Sequence, residues 1–339
     1  MCAEEKKVTI TEEELLQSAV AMNGMTLKIA KLIGSPINEQ LPVPMTLAEI
    51  ADLDTAKPGE KVFYFANRDD DPDEIYYVNT STGEMVTVKR SPVSDTELTF
   101  QGLNSRIEYV LVDSILSSPD TSVLARKKEH ISQGMDKLEL KMILDALIAS
   151  ADISEIAIPS GGDLYDVIMD AKHAVEDYGD DFVLLAGSDV KEKIDTYDKD
   201  EASSHYYKAG IREMLSNVGI KVIKVFGNVK TGTAADNKAD TGTTQRLLSS
   251  SKFILVARNS TIAKGKPIEF VRREISADIA RLMGAQVDKL QRALIVNPTP
   301  VNVTGVNTLA YGVYGYESVI EAIKNRKAIV KSANLASIL

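Results

Sequence analysis

Hydrophobic periodicity predicts one long helix in the middle of the chain, over residues 118–150, which we call the spine helix. It opens with Ser118-Pro119-Asp120, a sequence typical of a helix start because the serine caps free amides and proline fits the first turn. Gly134, in its middle, predicts either a kink or close packing at that point. The predicted apolar face has helical spacing and consists of Leu124, Ile131, Met135, Leu138, Met142, Leu144, Leu147 and Ile148. The predicted polar positions are Lys127, Lys128, Glu129, Lys137, Glu139 and Lys141.

The part of the chain before the spine helix is predicted to lack a core of its own. Residues 1–45 are typical of an extended arm with one short helix from Thr11, and Pro42, Pro44 and Pro58 favour an extended chain after it. Short apolar runs then alternate with polar turns over 60–112, which predicts a β-ribbon. A two-stranded ribbon is marginal alone in water. We therefore expect it to project and to rest on a neighbouring molecule.

The part after the spine helix alternates between predicted helices and strands. A second helix is expected from Gly161-Gly162-Asp163 through Ala174, and a mobile loop is expected over 227–244. A long strand over 286–296 is predicted to stop at Asn297-Pro298-Thr299-Pro300. The tail from Glu317 has helical spacing and is basic. Further short helices are predicted over 190–197 and 210–216, and further strands over 182–186, 220–226, 253–256 and 267–271.

Charge and cysteine content narrow the functional classes. The chain has 339 residues and a formal net charge of −10, which argues against general affinity for nucleic acid. From Lys252 onward, however, 13 basic residues stand against 6 acidic ones. This asymmetry suits head-to-tail contacts between copies, or it is chance segregation on a solvated surface. Cys2 is the only cysteine and the three histidines are far apart, so neither an internal disulfide nor a cysteine zinc site is expected.

Membrane and targeting signals are not expected either. No run approaches 18 apolar residues, so we predict no transmembrane helix and no membrane partner. The first residues, Met-Cys-Ala-Glu-Glu, lack a hydrophobic targeting core, so synthesis in a reducing cytoplasm is expected.

Three features of the sequence are candidate chemical sites. The acidic run Asp69-Asp70-Asp71-Pro72-Asp73-Glu74 is a calcium loop or a solvated turn, and Glu74 stands where an EF-hand needs glycine. Gly161-Gly162 is a phosphate-binding helix start or a plain helix entry, and it lacks the P-loop lysine. His173 is a base or a surface histidine. No catalytic constellation follows, so we predict no catalytic, cofactor-binding or metal residues and no enzymatic activity.

Several segments, taken in order, resemble the major capsid proteins of tailed bacteriophages, which have the Hong Kong 97 type of fold. Residues 107–119 resemble that family's strand entering the spine helix, and Phe182-Val183-Leu184-Leu185-Ala186-Gly187-Ser188-Asp189-Val190 its axial strand followed by a small helix. Val218-Gly219-Ile220 opens a segment similar to the family's short loop, glycine and strand. Residues 268–274 and 279–298 are similar to its closing strands. The resemblance covers roughly 45–310.

The resemblance implies an α+β fold with a phage capsid-type layout. The implied parts are an N-terminal arm (1–55), an extended β-ribbon loop (56–108), a peripheral domain with the spine and second helices (109–179), an axial domain (180–266), closing strands of the peripheral domain (267–316) and a basic C-terminal tail (317–339).

The implied function is that of a structural subunit of an icosahedral virus capsid, which assembles as hexamers and pentamers around packaged double-stranded DNA without sequence specificity. A portal and a separate scaffolding protein are the expected further partners, since no long scaffolding segment precedes the arm. The expected location is the virion, after synthesis in the bacterial host cytoplasm. No motif marks an isopeptide crosslink at Lys57, Lys61, Lys89 or Asn297, so none is predicted. The alternatives are an encapsulin-like nanocompartment shell and a cytosolic α/β enzyme.

Overall fold

The computed structural model describes residues 45–60, 62–66, 95–105, 107–111, 122–160, 162–196, 211–231, 243–260, 265–288, 290–303 and 306–339. Its helices are α1 (Met45–Ile50), α2 (Ser122–Ala149), α3 (Leu164–Val175), α4 (Ser188–Thr196), α5 (Ile211–Asn217) and α6 (Ala277–Leu282). Its strands are β1 (Ala51–Ala56), β2 (Val62–Ala66), β3 (Asp95–Thr99), β4 (Gln101–Asn104), β5 (Glu108–Leu111), β6 (Ser154–Ile156), β7 (Gly179–Ala186), β8 (Ile220–Lys224), β9 (Asn228–Thr231), β10 (Thr243–Arg246), β11 (Phe253–Ser260), β12 (Ile268–Arg273), β13 (Ala285–Val287), β14 (Ala293–Val303), β15 (Val306–Ile323) and β16 (Ile329–Ser332). The predicted α+β class is confirmed.

The long strand β15 organises a seven-stranded sheet. Along one side it pairs first with β14 and then with β12, and along the other side with β5 and β4. The spine helix, α2, lies across this sheet. A Cβ added to Gly315 of β15 would stand 3.0 Å from Ile131 and 3.5 Å from Met135 of that helix. The apolar face of the spine helix therefore packs on this sheet.

A five-stranded sheet, in the order β6-β16-β11-β7-β8, is covered on both faces. Successive side chains of a strand point to opposite faces, and β7 shows the result. Val183 and Leu185 pack in one core with the end of the spine helix, whereas Phe182 and Leu184 pack in a second core with α3. The implied boundary between the peripheral domain (109–179) and the axial domain (180–266) would separate α3 from this sheet. In the structure α3 packs directly on the five-stranded sheet.

The predicted ribbon and loop are partly within the described residues. β2 and β3 pair with each other in an antiparallel two-stranded sheet, which forms the base of the ribbon. The middle of the predicted ribbon, residues 67–94, lies outside the described residues. Within the predicted loop at 227–244, β9 and β10 form a short antiparallel pair. The loop prediction is therefore wrong at the two ends of this segment.

The arm prediction is wrong for its last residues. Leu47 and Ile50 of α1 are fully buried in the core shared with the spine helix. β1 follows and pairs in parallel with β12 at the edge of the seven-stranded sheet. The nearby prolines favoured an extended chain, but burying these apolar side chains fixes the segment in place.

The predicted end of the closing strand at the proline pair is wrong. β14 continues through Pro298 and Pro300, which pair with Tyr311 and Leu309 of β15. The other neighbour of β14 in the sheet, β13, reaches only to Ile295, so within the described chain the prolines lie at an edge, where no ladder N–H is needed. The predicted strand over 286–296 is in fact β13, a tight turn and the start of β14.

The predicted helical tail is also wrong. Glu317–Ile323 is the end of β15, and β16 lies inside the five-stranded sheet between β6 and β11. Val319 and Ile320 are both buried because β15 is covered on both faces. A strand buried on both faces has no polar alternation, so its apolar spacing imitates a helix.

Candidate functional site

Five charged side chains are buried together between the spine helix and the seven-stranded sheet. Asp136 and Glu139 come from the helix, Arg272 from β12, Glu317 from β15, and Arg292 from the residue before β14. Glu139, Arg292 and Glu317 have no exposed surface. We call this group the buried charge cluster. Charged residues are almost never fully buried unless they are paired, so the cluster is the main departure from an apolar core in the described chain.

Strand pairing explains why these residues meet. Along one side of β15, β14 begins opposite Tyr316, and β12 reaches Val319 with Arg272. Glu317 thus lies in the short gap between the ends of two strands. Each strand end supplies an arginine to that gap, and the spine helix covers it with its carboxylates.

The two arginines bind their carboxylates at short distances. Arg272 donates from Nε to Glu139 Oε1 at 2.8 Å and from Nη2 to Oε2 at 2.7 Å, a bidentate pair. Arg292 donates from Nε to Glu317 Oε2 at 2.9 Å. Its other nitrogens lie 2.5 Å from Asp136 Oδ1 and 2.9 Å from Glu139 Oε2. Arg292 therefore links the helix to β15.

Burial and the excess of carboxyl groups shift the pKa values. Burial, and after it the neighbouring Glu139 carboxylate, raises the pKa of Glu317 to about 9 against the opposing charge of Arg292. Burial would also raise the pKa of Glu139, but the hydrogen bond from Arg272 and both guanidinium charges hold it below its ordinary value. Burial raises the pKa of Asp136. One proton is thus favoured on Glu317 in neutral solution.

The turn before β14 extends the cluster. Asp288 accepts hydrogen bonds from the amides of Leu290 and Arg292, both at 2.9 Å, and so shapes the tight turn that delivers Arg292. Burial raises the pKa of Asp288. About two turns before Asp136 on the spine helix, Lys128 donates to Gln286 of β13 at 2.9 Å, and burial lowers the pKa of Lys128 to about 8.

A second group of ion pairs fixes the segment after the arm. Glu49 of α1 accepts from Lys221 at 2.6 Å and pairs with Arg258, which also binds Asp181 at 2.6 Å. Lys221 and Arg258 belong to the five-stranded sheet. These pairs therefore attach α1 to that sheet, while β1 pairs with the other one.

The three candidate chemical sites of the sequence do not form a common site in the described residues. The acidic run at 69–74 lies outside the described residues, as does Gly161. The amide of Gly162 donates to the carbonyl of Pro159 at 3.0 Å, so it is not available to a phosphate. His173 is exposed on α3. Across the described ranges, no group of three or more metal-ligating side chains is arranged to hold an ion, and none of the described helices is long and apolar enough to cross a membrane.

Residues of the crosslink prediction are also dispersed. Lys57 is exposed beside a turn and Asn297 is exposed on β14. Lys61 and Lys89 lie outside the residues whose side chains are described. The prediction of no crosslink remains a prediction.

Sequence reasoning missed the buried charge cluster. Glu139, Lys128 and Lys141 were predicted on the polar face of the spine helix, and all three are buried. A signal was present, since Glu139 follows Met135 by four residues and precedes Met142 by three. It therefore stands inside the apolar stripe, where a charged residue needs a partner.

Comparison with known proteins gives matches among solved structures alone. No protein-family model matches the chain, and no curated protein matches it. The chain is similar to a virus-like particle from Pyrococcus furiosus, with 13% identity, 95% of this chain and 98% of that chain covered, and a TM-score of 0.47. It is similar to a phage-related protein from Bordetella bronchiseptica, with 10% identity, coverage of 91% and 96%, and a TM-score of 0.49. It is also similar to the holo-SrpI encapsulin complex from Synechococcus elongatus PCC 7942, with 11% identity, coverage of 87% and 89%, and a TM-score of 0.44.

The chain resembles phage capsid proteins. Other similar structures are mostly phage capsids, together with capsids of a GTA particle. The resemblance predicted from the sequence is confirmed as a resemblance, at low identity over nearly the whole chain.

Proposed function

We propose that this chain is a structural, non-enzymatic shell subunit. It assembles into hexamers and pentamers that close an icosahedral capsid around packaged double-stranded DNA. A portal and a separate scaffolding protein are its further partners. The acidic net charge gives the chain no general affinity for DNA, which leaves packaged DNA free to move.

The base of the ribbon is the observation on which the proposal rests. β2 and β3 pair only with each other in the described sheets, and β3 leads directly into β4 of the seven-stranded sheet. A two-stranded sheet is at best marginally stable in water. A surface on another copy would stabilise it, and closed symmetric assembly would repeat that contact around the shell.

The size of the particles that the purified chain forms tests the proposed assembly. We expect the purified chain to form rings or closed shells in negative-stain microscopy and to elute far ahead of a 36.9 kDa monomer in size-exclusion chromatography. A compact monomer that never forms such particles would contradict the shell proposal and favour a cytosolic enzyme. Double-stranded DNA in shells purified after nuclease treatment supports the capsid, whereas protein cargo without DNA indicates an encapsulin-like compartment.

The ribbon gives a second prediction. Deleting residues 70–92 should leave a folded subunit that cannot close a shell, because the contact with the neighbouring copy is lost while both cores remain. The measurement is particle formation by microscopy, with thermal unfolding to show that the subunit is folded. The matched control deletes residues 233–241 between β9 and β10. Normal particles from the ribbon deletion would show that the ribbon is dispensable.

A further inference from the structure

The buried charge cluster holds more carboxyl groups than its cations can neutralise. Asp136, Glu139 and Glu317 face the two guanidinium groups of Arg272 and Arg292. Asp288 adds a fourth carboxyl group on the turn beside them. β4, which pairs with β15 at Glu317, brings no titratable side chain, since it consists of Gln101, Gly102, Leu103 and Asn104. The local surplus is negative, and water cannot offset it at fully buried positions.

Three buried carboxylate oxygens, Asp136 Oδ1, Asp288 Oδ2 and Glu317 Oε1, have no hydrogen-bond partner among the residues that the structure describes, although Asp136 Oδ1 lies 2.5 Å from Arg292 Nη1. Glu317 Oε2 accepts from Arg292, but Glu317 Oε1 is buried and has no hydrogen-bond partner when the carboxyl groups are ionised, among the residues that the structure describes. The Glu139 carboxylate is close by, because Arg292 lies 2.9 Å from an oxygen of Glu139 and 2.9 Å from an oxygen of Glu317. Two carboxylates are both acceptors, so they can bond to each other only if one of them holds a proton.

We propose that Glu139 and Glu317 form a carboxyl pair that shares one proton, and that this proton governs how firmly the spine helix is held on the seven-stranded sheet. With the proton present, the pair is one hydrogen bond between the helix and β15. When a base removes it, two adjacent carboxylates repel each other at the same contact. The inference stands on this contact alone and does not depend on the shell proposal.

The direction of the pH effect follows from where the proton is held. Glu317 has a pKa of about 9 in the folded chain against an ordinary value of 4.5, so between these values the folded state keeps a proton that the unfolded state has lost. Its stabilisation is complete below pH 4.5 and is lost as the pH rises to about 9. Over that interval the folded-to-unfolded ratio should fall about tenfold per pH unit.

Other groups titrate nearby and must be separated. The lowered pKa of Lys128, about 8, acts in the opposite direction, because its unfolded form keeps a proton that the folded form loses. Glu139 loses its own contribution only at acid pH, because its folded pKa is lowered. The raised pKa values of Asp136 and Asp288 act in the same direction as that of Glu317. Comparison of the wild-type chain with E317Q cancels these shared contributions.

The experiment measures unfolding of wild-type and E317Q full-length chains between pH 7 and 10. Glutamine has the shape of the protonated acid and can donate to Glu139. We expect the wild-type folded-to-unfolded ratio, divided by that of E317Q, to fall about 100-fold from pH 7 to 9 and then level off. Above pH 9, corrected hydrogen exchange of amides 136–142 should be faster in the wild-type chain alone. The control E129Q, at an exposed carboxylate on the same helix, should match wild type.

Infrared spectroscopy of the wild-type chain tests the shared proton without depending on whether E317Q folds. The wild-type chain at pH 7.5 should show the carbonyl stretch of a protonated carboxylic acid, and the band should vanish with a midpoint near pH 9. Absence of this band at pH 7.5, or parallel pH profiles for wild type and E317Q, would overturn the proposal.

Discussion

Arg292 is the residue on which the buried contact between the spine helix and the seven-stranded sheet depends. It has no exposed surface and lies against carboxyl groups from both the spine helix and β15. A buried ion pair is not by itself a source of stability, because both partners lose their hydration. Removing one partner is different, since the remaining charge stays buried without compensation.

Replacing Arg292 with methionine should lower the free energy of unfolding by about 3–5 kcal/mol at pH 7. Asp136 and Glu139 would then remain buried without this cation. Because protonation relieves buried carboxylates, the loss should shrink as the pH falls toward 5. Urea unfolding at both pH values measures the effect.

The matched control removes an ion pair at the surface. Lys191 pairs with Asp195 one turn later on α4, and K191A should cost less than about 1 kcal/mol. Similar losses for R292M and K191A would show that the buried charge cluster contributes nothing beyond an ordinary surface pair.

The sequence allowed prediction of apolar residues much better than of buried charges. Ile131, Met135 and Leu144 were predicted on the buried face of the spine helix because apolar spacing reports burial directly. Glu139 and Arg292 were not predicted in the core, because their burial depends on partners more than a hundred residues apart in the sequence. Local sequence patterns contain no information about contacts between such distant residues.

At the scale of elements, the spine helix packs closely on the sheet at Gly315, where the sheet has no side chain. Gly315 of β15 leaves room for Ile131, whereas an added Cβ at Gly134 of the helix would meet nothing within 4 Å. Of the two alternatives predicted for Gly134, close packing is therefore wrong. The two glycines of this helix–sheet pair have opposite roles.

Substitution of the two glycines should change stability in opposite directions. G134A should raise the free energy of unfolding by about 0.5–1 kcal/mol, because alanine favours an exposed helix interior. G315V should lower it by about 1–3 kcal/mol, because the larger side chain overpacks the contact with Ile131. Chemical denaturation of both variants measures the two changes. Equal effects of the same sign would contradict this account of the helix–sheet contact.

Helices and strands were predictable from the sequence where one of their faces is buried and the other is exposed. They were less predictable where both faces are buried. α3 was predicted almost to its ends because it is amphipathic and Asp163 caps it, with Asp166 completing a capping box. β15 was predicted as a helix over its last residues because both of its faces are covered. β14 was predicted to end at Pro298, since a proline's tolerance in a strand depends on whether that strand lies at an edge, which only the assembled sheet decides.

At the scale of the whole molecule, two sheets share one core. The end of the spine helix packs against Val183 and Ile254 of one sheet and against Phe270 of the other. The spine helix, the second helix, the strand at 179–186 with its small helix and the closing strands follow one another in the predicted order, but the divisions drawn from that order shift. Residues 45–56 join the folded body, and residues 317–332 complete both sheets. These long-range pairings are set by the sheets and have no local signature.

The same pairings constrain the order in which the chain can fold. β1 cannot gain its parallel partner until β12 exists, and β6 waits for β16. Contacts between such distant segments require closure of very long loops, which makes folding slow and leaves strand edges unpaired meanwhile. We therefore expect the newly made chain to expose apolar strands to other chains until these pairings form. The yield of refolding should accordingly rise when the protein is diluted.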